Sequence, residues 1–304
     1  MNVINYMKWR KFAAVISIAL VLGSLVSLAT RGLVLGLDFT GGTQIEVGYE
    51  RDADLNKIRG QLEGAGFENP VVVHFGSDKD VLIKFQADPG SNAEQKLIDT
   101  LSADGEQVDL RRMEFVGPQV GEELRDDGGL GILVALVLVM LYVSLRFQYK
   151  FAVGAVLALV HDVIITVGIF SFFQLEFDLT VLAAVLAVIG YSLNDTIIVY
   201  DRIRENFRMI RETDAVQIIN ESLTQVLVRT VYTSLTTLLV LFALFYFGGE
   251  LIHNFAVALI IGVVIGTTSS IYVAANSILA MNISREDLIQ RVREPGEEEF
   301  DGLP

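Results

Sequence analysis

Cysteine is absent from this chain of 304 residues, and histidine occurs only at His74, His161 and His253. Without cysteine the protein has no disulfide bonds and no thiolate metal ligands. The three histidines lie far apart in sequence and show no metal-ligand spacing. The sequence therefore predicts neither a disulfide-stabilised fold nor a metal centre.

Charged residues are almost missing from six long stretches of the chain. Hydrophobic residues make up 52% of the sequence, and the mean hydropathy is +0.50. Each stretch is close to the roughly 20 residues that a helix needs to cross a bilayer. The six apolar runs are 12–30, 129–147, 151–173, 179–200, 230–247 and 253–279. They predict a polytopic α-helical membrane protein with six transmembrane helices, and they exclude a soluble enzyme or nucleic-acid binder.

The basic residues predict the orientation of these runs. The short loops 174–178 and 248–252 contain no Lys or Arg, whereas the connections on the opposite side are basic. Because short loops rich in Lys and Arg stay in the cytoplasm, we expect both termini to be cytoplasmic. The first run is longer than a usual signal-peptide core, so we expect an uncleaved anchor. The expected parts are a tail 1–11, a helix 12–30, a non-cytoplasmic domain 31–128, a five-helix domain 129–279 containing a cytoplasmic amphipathic segment 201–229, and an acidic tail 280–304, which we expect to be disordered.

The large loop 31–128 alternates strand and helix patterns. Its order, βαββαβ, is the ferredoxin-like α+β pattern, which by itself assigns no function. The last strand changes its apolar parity midway, which indicates a β-bulge. The loop has twenty Asp and Glu against ten Lys and Arg, so it is unsuited to nucleic acid. We expect strands at about 45–49, 71–75, 81–85 and 107–116, and helices at about 55–64 and from a capping box at 91–94 onward.

The segment 201–229 carries equal numbers of acidic and basic residues. Asp214 is suited to begin a helix, and Ile219, Leu223 and Val226 share one face of that helix. We expect this amphipathic segment to lie along the membrane surface or against a partner.

Two glycine motifs bracket the large loop. Gly41 and Gly42 precede its first strand, and Gly117, Pro118 and Gly121 follow its last strand. Glycine and proline supply the φ angles that tight turns need, so simple turns between a domain and membrane helices are one interpretation. The other is a pair of hinges that let the domain swing.

Two carboxylates interrupt the apolar runs. Asp162, next to His161, lies near the middle of its run, and Asp195, next to Asn194, lies about 24 Å into its run. A carboxylate within a bilayer costs about 2.5–3.5 kcal/mol to insert, so it is a functional hypothesis by default. Either acid can instead be an interhelical hydrogen-bond anchor. Because His161 and Asp162 are consecutive on a helix, we expect them to point to different sides.

Arg229 stands where the fifth run begins. It is either an interfacial arginine that reaches to the headgroups or a cationic partner of Asp195. The run continues with Thr230, Thr233, Ser234 and Thr237 at helical spacing. This hydroxyl stripe either supports a proton path or packs against neighbouring helices.

Longer motifs resemble the SecD/SecF family of bacterial protein-export membrane proteins, and within it the SecF type. More distantly, the fourth run resembles the acidic helix of the resistance–nodulation–division (RND) transporters, so the membrane domain is expected to be half of an RND-type bundle. The resemblance covers nearly the whole chain in order. It is carried by Asp38–Gly42, Val116–Gly121, His161–Asp162, Ile189–Thr196 and Asp201–Asn206.

This resemblance implies a subunit of the bacterial inner membrane with 31–128 in the periplasm. The implied partners are a SecD-like subunit, the SecYEG channel and a translocating preprotein, with the ATPase SecA acting upstream. The implied activity is proton-driven transport rather than enzymatic catalysis, with protons as the coupling ion and no cofactor. Asp195 would load the proton, Arg229 would be its cationic partner, and a SecD-like subunit would supply a further acid.

Three other functions compete with this one. A stand-alone RND-like exporter of lipids or small molecules is expected to contain two fused halves, whereas one half is visible here. An intramembrane aspartyl protease needs a Gly-x-Gly-Asp motif, whereas Asp195 follows Leu193 and Asn194. A non-conducting scaffold of the translocation channel would use Asp195 only as a structural polar group.

Overall fold

The computed structural model describes residues 3–67, 70–86, 93–103, 107–210 and 214–284. Within these ranges, six helices are long and apolar enough to cross a membrane, as the sequence predicts. A sheet-containing domain lies between the first two of them. In chain order the elements are a 3₁₀ turn (Tyr6–Trp9), α1 (Arg10–Arg31), β1 (Val34–Leu35), α2 (Leu37–Thr40), β2 (Gly42–Tyr49), α3 (Leu55–Gly64), β3 (Val71–Phe75), β4 (Ser77–Phe85), α4 (Ala93–Ser102), β5 (Val108–Val116), α5 (Pro118–Arg146), α6 (Tyr149–Phe173), β6 (Glu176–Phe177), α7 (Leu179–Met209), α8 (Ala215–Phe247), α9 (Glu250–Ser269), a π-helical segment (Ser270–Ala274) and α10 (Ala275–Ala280).

The second spanning helix begins well before the expected position 129. Helix α5 starts at Pro118, directly after β5 ends at Val116. Proline is favourable at the first helical position because its missing N–H would be unpaired there in any case. Gly117 is therefore the only residue in the chain between the last strand of the sheet domain and α5.

The expected surface segment 201–229 is not a separate element. Helix α7 continues to Met209 and α8 already begins at Ala215, so the two helices extend beyond the apolar runs as a hairpin. The predicted apolar face of Ile219, Leu223 and Val226 is buried in this chain's own core. The expectation that it lies along the membrane or against a partner is wrong, because α7 itself covers that face.

The extramembrane domain has the predicted ferredoxin-like topology. Its four strands form an antiparallel sheet in the order β3-β4-β2-β5. The predicted bulge is present in β5, where Glu46 pairs with Arg112 and Val47 pairs with Leu110, leaving Arg111 as the extra residue. Helices α3 and α4 contribute Ile58, Leu62, Leu97 and Leu101 to the core against the sheet.

This domain is fastened to the membrane bundle at several points. β1, which follows α1, pairs in parallel with β6 in the α6–α7 loop. Lys84 on β4 forms an ion pair with Glu176 of that loop at 2.9 Å. Asn254 of α9 donates a hydrogen bond to the Glu176 carbonyl at 3.1 Å. The start of the predicted capping box (residues 91 and 92) and most of the acidic tail (285–304) lie outside the described residues.

Candidate functional site

Asp195 lies in the interior of α7 and is buried, with 1% of its surface exposed. Its Oδ2 atom has no hydrogen-bond partner among the described residues. The hydroxyls of Thr196 and of Thr230, on neighbouring helix α8, are also buried without a partner in that part of the chain. A buried carboxylate oxygen without a donor is costly in the charged state. This arrangement is unusual for a group whose role is only structural.

Arg229, on α8, is close enough for its charge to act on the Asp195 carboxylate. No ion pair within 4.0 Å joins the two side chains in the described residues. Arg229 and Asn194 are both exposed on the surface of the isolated chain. The structure therefore places the predicted pair on adjacent helices without closing the contact.

The hydroxyl stripe of α8 divides into two groups. Thr233 and Thr237 donate to carbonyls of their own helix, Thr233 to Arg229 O at 3.1 Å and Thr237 to Thr233 O at 2.9 Å. Ser234 of the same stripe instead contacts Thr267 of α9, with 2.7 Å between the two hydroxyl oxygens. Of the three threonines, only Thr230 has a buried hydroxyl without a hydrogen-bond partner in the described part of the chain.

Asp162 has the opposite environment. It is fully buried, and its Oδ2 accepts hydrogen bonds from Ser192 of α7 at 2.6 Å and Ser269 of α9 at 2.7 Å. Its Oδ1 lies 2.9 Å from His161 Nδ1. Both carboxylate oxygens are therefore satisfied, and α6, α7 and α9 are tied together at one point. This geometry favours the structural interpretation of Asp162.

The expectation that His161 and Asp162 point to different sides is wrong. Their side chains bend toward each other and make direct contact, as the Nδ1–Oδ1 distance shows. The other ring nitrogen, His161 Nε2, is buried without a partner in the described part of the chain.

The sequence did not identify Ser192, which lies within the Ile189–Thr196 motif, or Ser269 as hydrogen-bond partners of Asp162. Serine is common in membrane helices, so neither residue stands out by type. A weak signal was present for the contact between their helices, because Gly262 and Gly266 of α9 form a GxxxG pair. A side chain at Gly266 would lie 3.0 Å from Ser192 Cβ, so this glycine permits the close approach of α9 to α7.

The two glycine motifs pack against each other. Gly41 and Gly42 have φ angles of 75° and 145°, which favour glycine. A Cβ on Gly41 would lie 2.8 Å from the Pro118 backbone, and one on Gly121 would lie 2.9 Å from the Phe39 carbonyl. The motifs thus form a tight joint between α2 and the start of α5, and a hinge role for this joint stays a prediction.

Asp38, three residues before Gly41, links this joint directly to α7. Its Oδ2 accepts a hydrogen bond from the Leu179 backbone N–H at 3.1 Å. Asp178 also caps α7 by accepting from Val181 N–H at 2.9 Å. The first residue of α7, the helix that carries Asp195, is therefore hydrogen-bonded to Asp38, just before the first glycine motif.

Together, the fold and these polar groups define a six-span membrane protein with one extramembrane ferredoxin-like domain and a buried, unsatisfied carboxylate in its fourth span. The family model described as "Protein export membrane protein SecD/SecF, C-terminal" matches residues 96–284, and the "SecD/SecF GG Motif" matches residues 26–53. The chain belongs to the SecD/SecF family.

Several curated relatives are similar over nearly the full length. The protein translocase subunit SecF of Pseudomonas aeruginosa is 53% identical over 94% of both chains. That of Vibrio alginolyticus is 50% identical over 99% of this chain and 97% of its own length. That of Escherichia coli O157:H7 is 43% identical over 100% of this chain and 96% of its own.

The structure is similar to solved SecDF structures. The crystal structure of SecDF from Thermus thermophilus, a translocon-associated membrane protein, matches 92% of this chain with a TM-score of 0.81 and 35% identity. A SecDF structure in a super-membrane-facing form matches 93% with a TM-score of 0.73 and 35% identity. The present chain spans 39% of the length of each of those SecDF chains.

Proposed function

We propose that this chain is the SecF-type subunit of a Sec protein translocase and that it couples proton movement through Asp195 to preprotein export. In this proposal it lies in the bacterial inner membrane with cytoplasmic termini and with residues 31–128 in the periplasm. Its partners are a SecD-like subunit, the SecYEG channel and the preprotein, which SecA drives in an earlier step. The role is transport and uses protons as the coupling ion, without a cofactor.

The difference between two buried carboxylates carries the proposal. Asp162 has hydrogen-bond partners on both oxygens, whereas Asp195 Oδ2 has none among the described residues. A carboxylate with an unsatisfied oxygen gains from taking up a proton because its desolvation cost then falls. Proton release is favoured when the Arg229 cation moves closer, since opposite charges attract strongly in a medium of low dielectric constant. Opening and closing of this contact would link protonation to helix movement.

The exposed polar face around this site supports a SecD-like partner. Asn194, Arg229 and Thr233 are exposed on the isolated chain, although they belong to spanning helices. Polar side chains at membrane depth normally face a protein interior or an aqueous cavity. A second half-bundle would cover this face, consistent with the larger SecDF chains that include a region matching this one.

The energy available fits a mechanical role. One elementary charge that crosses a potential of 100 mV releases about 2.3 kcal/mol. A single helix connects Asp195 to the extramembrane domain, because the first residue of α7, Leu179, is hydrogen-bonded to Asp38 in the joint next to that domain. Movement of α7 would therefore be transmitted to the first glycine motif.

Export of a periplasmic precursor in cells whose only copy carries Asp195→Asn tests the proposal. We expect precursor to accumulate while the variant still co-purifies with its SecD-like partner at normal level. Asp201→Asn is the matched control, because Asp201 is a half-exposed acid on the same helix, 3.5 Å from Arg146, and we expect normal export. Normal export with Asp195→Asn would instead favour the non-conducting scaffold.

A further inference from the structure

Helix α1 packs unevenly along its length. Near its end, Ser24 rests directly on Gly168 of α6, where no Cβ would fit. Ser27 Oγ contacts Ser171 Oγ at 2.9 Å, also on α6. Both serines are buried. This half of α1 is therefore held closely against the bundle.

The first half of α1 leaves open space at its flanks. A crevice of about 550 Å³ runs along one side and another of about 440 Å³ along the other. Both reach the same three polar residues, Ser17, His161 and Tyr272. Exposed apolar side chains, including Phe12 at 62% and Ile18 at 59%, border the two crevices. Both spaces therefore open to the surface that the bilayer surrounds.

The mouth of the larger crevice is basic. Arg10 lines it, and Lys8 and Lys11 stand exposed on either side in sequence. Within the residues that the structure describes, none of these three cations has an ion-pair partner within 4.0 Å. Arg10 at the mouth, with Lys8 and Lys11 close to it in the chain, makes this end of the crevice suited to an anionic group at the membrane interface.

Other contacts fix the position of this mouth. The turn before α1 is held on α8, because Met7 N–H donates to Asn220 Oδ1 at 2.9 Å and Ile4 N–H donates to Thr224 Oγ1 at 3.1 Å. The Arg10 carbonyl accepts from Asn276 of α10 at 3.4 Å. The backbone that carries Arg10 is thus anchored on two helices, so the site is preformed rather than dependent on a loose terminus.

We propose that the larger crevice binds a phospholipid with an anionic headgroup. The phosphate would contact Arg10, and one acyl chain would lie between α1 and α10 as far as Ser17, about 10 Å deeper along the helix. The apolar walls fit the chain, and Asn276 and Tyr272 offer polar contacts to the ester region. The charge of the mouth selects an anionic lipid over a zwitterionic one. This site is independent of proton transfer at Asp195.

Native mass spectrometry of the purified full chain can test the site, with phosphatidylglycerol and phosphatidylethanolamine as probes. We expect tighter binding of phosphatidylglycerol, and we expect Arg10→Gln to weaken it about tenfold through loss of a charged hydrogen bond. Arg146→Gln is the matched control, because Arg146 is a cation that lines neither crevice, and its effect should stay within about twofold.

A second pair of variants tests the acyl-chain position. Ser17→Leu should fill the crevice and weaken phosphatidylglycerol binding, whereas Val15→Leu, on an exposed face of α1 that lines neither crevice, should not. Equal binding by the Arg10 and Arg146 variants would overturn the proposal. Displacement of the lipid by inorganic phosphate would show a free-anion site instead, and loss of binding in the complex with a SecD-like subunit would show that the partner covers the crevice.

Discussion

Replacing Asp162 by alanine should destabilise the bundle much more than the same replacement at Asp195. Asp162 accepts from Ser192 at 2.6 Å and Ser269 at 2.7 Å, and it contacts His161 at 2.9 Å. Asp195→Ala removes an equal number of atoms from an equally buried position, but its Oδ2 has no partner to lose. The cavity contributions therefore cancel to a first approximation, and the difference between the variants isolates the hydrogen bonds.

The size of this difference follows from the three contacts. Hydrogen bonds between membrane helices contribute about 0.6 kcal/mol on average and up to about 1.7 kcal/mol each. Three of them sum to about 2–5 kcal/mol, since Asp162→Ala also leaves His161, Ser192 and Ser269 without their acceptor. Ser269→Ala removes one of the three contacts to Asp162, together with the longer bond from Ser269 Oγ to the Gly266 carbonyl at 3.1 Å, and should cost about 1 kcal/mol.

Equilibrium unfolding of the purified chain in mixed micelles measures these free energies. After the cost of the cavity is subtracted, we expect the loss of unfolding free energy to be largest for Asp162→Ala, smaller for Ser269→Ala and smallest for Asp195→Ala. If Asp195→Ala proved as destabilising as Asp162→Ala, the contrast between a structural and a functional carboxylate would be refuted. The same outcome would remove the main support for proton coupling at Asp195.

Two further predictions concern close packing. Gly121→Ala should destabilise the chain by about 1–3 kcal/mol in the same unfolding assay, because its Cβ would lie 2.9 Å from backbone atoms of α2; Gly129→Ala, with no atom within 4 Å, should have no such effect. Tyr200→Phe should cost about 1 kcal/mol, because the Tyr200 hydroxyl donates to the Ala274 carbonyl of the π-helical segment at 3.1 Å. Tyr246→Phe, at a 73% exposed position, should be neutral, and equal effects of the two tyrosine variants would contradict this reasoning.

The ferredoxin-like topology and its bulge were readable from local patterns. The slip in apolar parity within β5 appears in the structure as the unpaired Arg111. That residue then reaches Asp80 on β4 at 2.9 Å. To reach Asp80, the Arg111 side chain passes over Gly48 of β2, where a Cβ would lie 2.8 Å from it. The bulge was predictable because parity is local, whereas the ion pair was not, because it depends on strand order.

The segment 201–229 shows the opposite case. Its amphipathic pattern correctly indicated helices with an apolar face, but the pattern does not say what covers that face. In the structure, Ile203 and Phe207 of α7 share one buried core with Ile219 and Leu223 of α8. A membrane surface and a neighbouring helix impose the same periodicity, so sequence alone could not distinguish them.

The sequence by itself determined the number of spanning helices, the place of the extramembrane domain and the positions of the two membrane acids. Each of these depends on residues close together in the chain, where hydropathy and spacing act directly. Only the tertiary structure showed that Asp162 has hydrogen-bond partners on both oxygens and that Asp195 Oδ2 has none among the described residues. Besides the adjacent His161, the partners of Asp162 are two serine donors that lie 30 and 107 residues away, Ser192 and Ser269. Helix packing alone decides which buried carboxylate meets such donors and which is left without them.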